Sequence, residues 1–328
     1  GYNIYMDHRV ADSFTEMYKA AKKDGRIRCN LIGLHVEGPY ISPYQAGAQK
    51  PEHIRSFDEA EYRRIYEASE GHIKRWSVAP EVDGAEAFAR FASENGIALS
   101  IAHSNADVDT VYRAFDMGYA WEIHHMMCDI AHGERRVWDL RNTMYADREK
   151  YPSSAMRMMF TSNHDENSWS GSEFYRFGPA LEVMTALTFV WEAAMPLIYT
   201  GQEIGYDHTF AFFDRDPIKQ YEFNEHTEIY RKLIALKHSQ AALQAGERGG
   251  RTIEIENNAK DCMMTFVREV EGSRVVAIMN LSPYTIHASF NNGIYAGEYT
   301  NAMTGERCIL PLHLEQDIEP WGYTLLYK

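Results

Sequence analysis

The sequence predicts an α/β fold: a (β/α)8-type TIM barrel, incomplete or stitched, over residues 1–248, followed by a small antiparallel β-sandwich over 249–328. Three observations predict it. Short apolar runs alternate with amphipathic helical stretches as far as Ala245, the pattern of a parallel barrel. Polar residues gather where those runs end, the place where barrels keep their chemistry. Beyond Gly250 the hydrophobic period falls to two, with Gly and Asn turns between short strands, as in a sandwich.

In chain order, Tyr2 to Met6 reads as an uncertain strand. Residues 12–24 read as a helix (Phe14, Met17, Tyr18, Ala21) stopped at Asp24-Gly25. Asn30 to Val36 is a buried strand ending in Glu37-Gly-Pro-Tyr40, and 56–69 is a helix with Ser56 and Glu59 as a capping box. Arg75 to Ala79 and Ile97 to His103 are strands, with helices at 84–95 and 107–115. Tyr119 to Ile123 reads as a strand running into His124. Val137 to Arg148, Phe177 to Ala193 and His226 to His238 read as helices, and Arg157 to Ser162 and Met195 to Glu203 as strands. The barrel strands are thus those of Leu31, Trp76, Leu99, Trp121, Met159 and Leu197. Closing eight requires two more, so the expectation is a barrel that is gapped or paired with another chain.

The totals narrow the function. Over 328 residues the net charge is −14, which argues against a nucleic-acid surface. Cys29, Cys128, Cys262 and Cys308 share no short spacing, so neither a disulfide framework nor a thiolate zinc site is expected, and a cytoplasmic setting is the default. No apolar run reaches a membrane span. The chain opens on Gly1, which reads as a processed, truncated or incompletely recorded chain, and no signal-peptide pattern stands there. The expected partner is a small molecule or an oligosaccharide.

Two chemistries stand at the strand ends. Glu37, His103 and His124 form a carboxylate-plus-two-imidazole set suited to one divalent metal, zinc or iron, with an acidified water. Gly33-Leu-His-Val-Glu-Gly-Pro39, Ala46-Gly-Ala-Gln49, Trp76-Ser-Val-Ala-Pro-Glu81 and Ile101-Ala-His-Ser-Asn-Ala106 together resemble the N-acetylglucosamine-6-phosphate deacetylase family of the amidohydrolase superfamily. The resemblance spans about residues 13–120. It implies Glu37, His103 and His124 as ligands of the catalytic metal. The family's early HxH strand, its substrate histidines and its catalytic Asp have no matching motif here. Gln49 stands where members commonly carry His.

Downstream, Phe160-Thr-Ser-Asn-His-Asp-Glu-Asn-Ser168 sets a carboxylate beside an imidazole at a strand end. Such a pair can grip sugar hydroxyls and support an oxocarbenium-like transition state. The bland alternative is a helix cap by Asp165 or Asn167. Ala114 to Glu122, His124-His125, the NHDEN run, Met195-Pro-Leu-Ile-Tyr-Thr-Gly-Gln-Glu-Ile-Gly205 and the closing sandwich resemble the α-amylase family, glycoside hydrolase family 13, over about residues 114–328. The resemblance implies Asp165 as the third catalytic acid and His164 as a substrate contact. The motifs of the nucleophile Asp and the acid/base Glu are absent, so full glycoside hydrolysis is not expected.

The simplest reading is a chimera: 1–113 deacetylase-like and 114–248 α-amylase-like, joined near 114–120 by recombination, by design or in sequence assembly. Three functions follow: an α-amylase-type hydrolase without full activity, a metal-dependent deacetylase, or a non-catalytic hybrid with residual sugar binding. Elsewhere, His125, His132 and His226 read as surface or hydrogen-bonded histidines. Glu203 reads as a sugar contact or a loop hydrogen bond. Trp76 and Trp121 read as core or rim, and the Met126-Met127 and Met158-Met159 pairs as core. Trp169 reads the same way, as a core or rim aromatic before a stacking platform, though beside the NHD run it is the best candidate of the three.

Overall fold

The computed structural model describes residues 7–24, 31–47, 49–107, 110–111 and 117–328. The uncertain strand at Tyr2 to Met6, Cys29 and most of the helix expected at 107–115 lie outside the described residues. The chain divides into two compact units, Gly1–Gly118 and Tyr119–Lys328.

The first unit is a three-stranded parallel sheet of β1 (Leu34–Glu37), β2 (Ile73–Val78) and β3 (Ala98–Ile101), in that order. It carries α1 (His8–Lys23), α2 (Glu59–Ala68) and α3 (Ala85–Glu94). Asp7 caps α1, accepting from the N–H groups of Arg9 and Val10. The cap of α2 is Asp58, which accepts from Glu61 N, rather than the expected Ser56. Apolar residues three and four apart turn one face of each helix onto the sheet. Phe88 sits at the centre of the core, with Tyr40, Phe57, Tyr62 and Trp76 around it at ring-centroid distances of 4.8–5.9 Å. Trp76, read as core or rim, is fully buried and donates its Nε1–H to Gly38 O at 2.8 Å.

The second unit opens at Tyr119, the last residue of β4 (Met117–Tyr119), which lies in one sheet with β5 (Met156–Met159) and β6 (Ala194–Pro196). β5 and β6 are parallel. The expected strand at Trp121 is corrected: pairing ends with Ala120 N donating to Met158 O, and Trp121 opens α4 (Trp121–Ala131). The reason is in the spacing. Ile123, Met127 and Ile130 are buried at intervals of four and three, a helical stripe that outweighs the aromatic start. His124 therefore sits in the first turns of a helix, not at a strand end.

α5 (Val137–Lys150) follows. After β5 come two short helices, α6 (His164–Ser170), foreshadowed only by the cap alternative, and α7 (Glu173–Phe177), absent from the sequence reading. The long helix expected from Phe177 to Ala193 is shortened by Gly178-Pro179 to a 3-10 turn and α8 (Leu181–Val190). α8 is buried from Leu181 to Val190 save Glu182. α9 (Glu225–Ser239) closes the helical part, capped by Asn224.

Beyond Gly250 the chain is antiparallel, as expected. A six-stranded sheet runs β12 (Arg307–Leu310), β11 (Gly297–Asn301), β14 (Tyr323–Tyr327), β9 (Ser273–Asn280), β8 (Met263–Val270) and β7 (Thr252–Glu254). A two-stranded sheet pairs β10 (Ile286–Phe290) with β13 (Leu314–Ile318). Alternate residues of β8 serve two cores. Met263 and Val267 pack with Ala288, Phe290 and Ile318 of the small sheet, while Met264 and Phe266 pack with Leu187 and Leu233 of the helices. Both faces of β8 are thus buried, so Met263–Val267 is apolar on both sides save for Thr265 rather than alternating with a period of two.

Candidate functional site

In the first unit the motif residues meet at the carboxyl ends of the parallel strands. Glu37 ends β1 and His103 follows β3, and the two join through Nε2 and Oε1 at 2.9 Å. His103 Nδ1 lies 2.9 Å from Gln45 O, which fixes the ring from its other side. His103 also holds φ +51°, a left-handed conformation costly for a non-glycine residue. Gly47 makes that possible: at φ +57°, any Cβ there would stand 2.6 Å from His103 Cε1. Glu81 receives Ser104 Oγ at 2.8 Å and Asn105 N at 2.5 Å, tying the loop after β3 to the loop after β2. His35 reaches Ser77 Oγ at 2.7 Å.

The expected metal set is incomplete. Among the described residues no group of three His, Cys, Asp or Glu side chains could hold a metal ion. Glu37 and His103 supply two donors. His124, in the second unit, has both ring nitrogens engaged there: Nδ1 lies 3.0 Å from Phe160 O and Nε2 lies 3.0 Å from Arg176 Nη1. A guanidinium in front of Nε2 occupies the direction a metal would need. Among the described residues no third donor joins that pair to make a zinc or iron site.

The second unit carries the NHD run directly after β5. Asn163, not Asp165 or Asn167, caps α6, accepting from Asp165 N at 2.9 Å and Glu166 N at 2.8 Å. The cap leaves His164 and Asp165 on the outside of the turn, their side chains about half exposed and 3.5 Å apart. Trp169 is 67% exposed, and its ring meets Phe212 at 5.3 Å; His164 meets the same ring at 6.3 Å. Phe213 extends this aromatic edge. Burial with the negative charge of Asp165 nearby raises the Tyr199 phenol above its ordinary range. Exposed aromatic rings and a carboxylate thus stand together after β5.

Beneath that turn lies a buried polar network that sequence reasoning missed. Arg176 donates to Thr161 O, Ser162 Oγ and His124 Nε2. Glu173 accepts from Thr161 Oγ1 at 3.0 Å and from Gln202, and burial raises its carboxyl pKa. His124 is buried, which lowers its pKa and keeps it neutral at pH 7. With Nδ1–H on Phe160 O, its Nε2 accepts from Arg176 and cannot also donate to Glu166 at 3.5 Å. The Glu166 carboxyl is held at about 2, well below its ordinary value. We assign the low value chiefly to His125 and to the positive Arg176 guanidinium 3.9 Å away, because the Arg176–His124 bond is the shorter. The Ser172 cap with Glu173 and Arg176 spaced three apart was the legible signal for this helix.

The remaining histidines are as bland as expected. His125 is bonded to Glu166, and His226 packs edge-on to Phe174. Glu203 accepts from Tyr221 OH at 2.6 Å, a loop hydrogen bond. Met127, Met158 and Met159 are buried.

No family model matches the chain. Solved structures give its class. A noncanonic maltogenic alpha-amylase from Thermotoga neapolitana superposes with a TM-score of 0.64 at 13% identity, over 98% of this chain and 94% of that one. An alpha-amylase from Lactobacillus plantarum gives 0.62 at 16%, over 81% and 66%. These likenesses show a TIM-barrel-type fold of the α-amylase kind. Sequence points elsewhere. The chain is 36% identical over 90 residues to the N-acetylglucosamine-6-phosphate deacetylase of Bacillus subtilis, covering 27% of this chain and 23% of that protein. It is 33% identical over 94 residues to an N-acetylgalactosamine-6-phosphate deacetylase of a Shewanella species, covering 29% and 23%. The chain therefore spans about a quarter of the length of the curated relatives it matches. Deacetylase-like sequence and α-amylase-like fold occur in one chain, consistent with a hybrid. No helix among the described residues is long and apolar enough to cross a membrane.

Proposed function

We propose that this chain is a hybrid, carbohydrate-active protein of α-amylase ancestry that binds glucan oligosaccharides without full hydrolase activity. The observation that carries this is the exposed His164–Asp165 pair beside the Trp169–Phe212 edge at the end of β5. A sugar ring stacks on an aromatic face, and His164 and Asp165 take its hydroxyls. Hydrolysis needs two carboxylates at a set separation, one a nucleophile and one a proton donor. The sequence motifs for both are missing. The other acids around α6 and α7 are already engaged: Glu166 with its histidines, Glu173 with Thr161 and Gln202, Glu203 with Tyr221. Asp165 alone stabilises positive charge but breaks no bond.

Titration of the full chain with maltotriose is the test. Binding should occur with no release of shorter sugars, and Trp169→Ala should weaken it about tenfold. Hydrolysis that Asp165→Asn abolishes would refute the proposal.

A second reading, a metal-dependent deacetylase, is favoured by the Glu37–His103 pair and the partial deacetylase identity. It requires a third ligand. Its test is zinc content after dialysis, together with acetate release from N-acetylglucosamine 6-phosphate. One zinc per chain and acetate release would establish it; neither is expected.

A further inference from the structure

A cavity of about 300 Å³ opens in the second unit at the starts of β5 and β6, the ends opposite Asn163. Asp147 and Arg148, from the last turn of α5, line it with Tyr151, Arg157, Glu192 and Arg251. None of these belongs to the network around α6 and α7.

The charges in this wall cancel. Asp147 pairs with Arg157 at 3.1 Å, and Arg148 with Glu192 at 2.6 Å. Of the remaining two, Glu247 accepts from Ser153 Oγ and Arg251 is positive. A free anion entering here meets three carboxylates, and a cation meets three guanidiniums. A neutral polyol suffers from neither. Each of its hydroxyls both donates and accepts, and the planar ion pairs offer both kinds of partner. Behind the wall, Arg148 Nε is buried with no hydrogen-bond partner, so the donors that Arg148 can offer the cavity are those of its Nη groups. Tyr151 adds a ring, held flat by the Arg157 guanidinium 4.0 Å over its face. The volume is at the low end for small-molecule sites, which suits one sugar ring rather than a chain of them.

We propose that this cavity is a second carbohydrate site, taking one neutral hexose unit against Tyr151 and the Asp147–Arg157 and Arg148–Glu192 pairs. It is separate from the Asp165 edge and does not depend on what that edge does.

Hydrogen-exchange mass spectrometry of the full chain, with and without glucose, tests it. Glucose should protect peptides covering 147–157 and 246–252. Tyr151→Ala and Arg251→Ala should each remove that protection; both side chains reach solvent, so neither change opens the core. Asp165→Asn should leave it intact. The proposal is overturned if those peptides are not protected or if neither substitution matters. It is also overturned if glucose 6-phosphate protects them at an about tenfold lower concentration, which would mark an anion site.

Discussion

Glu166 shows how one residue was hidden in plain view. In the sequence it is the letter after NHD, an acid among acids; in the fold it stands between His125 and Arg176. Its pH behaviour follows. The folded carboxyl sits at about 2, below the ordinary 4.5, so its stabilisation is complete above 4.5 and is lost as pH falls toward 2. His124 acts with the same sign higher up. Its pKa is lowered by burial, so its contribution is full above 6.5 and is lost as pH falls below that. Thermal melts of Glu166→Gln should therefore show a lower Tm than the parent at pH 7, with the gap closing between pH 4.5 and 2. A gap independent of pH would mean that Glu166 contributes shape and not charge.

His103 and Asp165 were legible because motif and strand end coincide in both, and each stands where its run ends. His124 was misplaced because aromatic and β-branched residues at Tyr119, Trp121 and Ile123 mimic a strand over five positions. The helical stripe becomes visible only when Met127 and Ile130 are included. Glu173, Arg176 and Gln202 were missed for a different reason. Each is a polar residue in a polar stretch, and nothing local says that Thr161 and His124 will cover them.

Among elements, one buried arginine of the sheet beyond Gly250 takes up four carbonyls. Arg268 of β8 is 1% exposed and donates to the carbonyls of Val190, Trp191, Gln244 and Gly250. Two of these oxygens belong to the end of α8, whose last carbonyls have no partner within the helix. Lys237 of α9 helps from the other side, donating to Phe189 O and Leu243 O, and burial lowers its pKa to about 7. Arg268→Met keeps the bulk and removes every donor. It should cost roughly 3 kcal/mol or more, a fall in Tm of roughly 6–12 °C for a unit of this size. A fall of under about 2 °C would show that water replaces the guanidinium.

The alternation that announced a parallel architecture was readable from the sequence because each strand is short and each helix ends at a glycine or a cap. Six strands lie before the sandwich among the described residues, three in each sheet, but only five are expected ones: the strand expected at Trp121 is a helix, and β4 ends at Tyr119 before it. The two-sided burial of β8 and β9 was not legible. A run such as Met263–Val267 states that it is buried, not by what.

At the scale of the whole chain, the compact units and the change of periodicity fall at different places, Gly118 and Gly250. Limited proteolysis decides which border is mechanical. Around Gly250, Gly249 and Gly250 have no room for a Cβ, and Gly250 N donates to Ala242 O. We expect the first stable fragment to begin near Tyr119 and run to the C-terminus. A stable piece confined to residues 249–328 would instead make the sandwich an independent domain.

The two-faced sheet also restricts which parts of this chain could ever have been exchanged. A crossover between 248 and 249 would import strands whose Met264 and Phe266 positions must fit helices they had never met. The same crossover would leave Val190 and Trp191 without their arginine. A crossover upstream of Tyr119 severs none of these dependencies. An exchange at 248/249 would thus have to rebuild a shared core, whereas the stretch from α4 to β14 keeps these contacts when it stays whole.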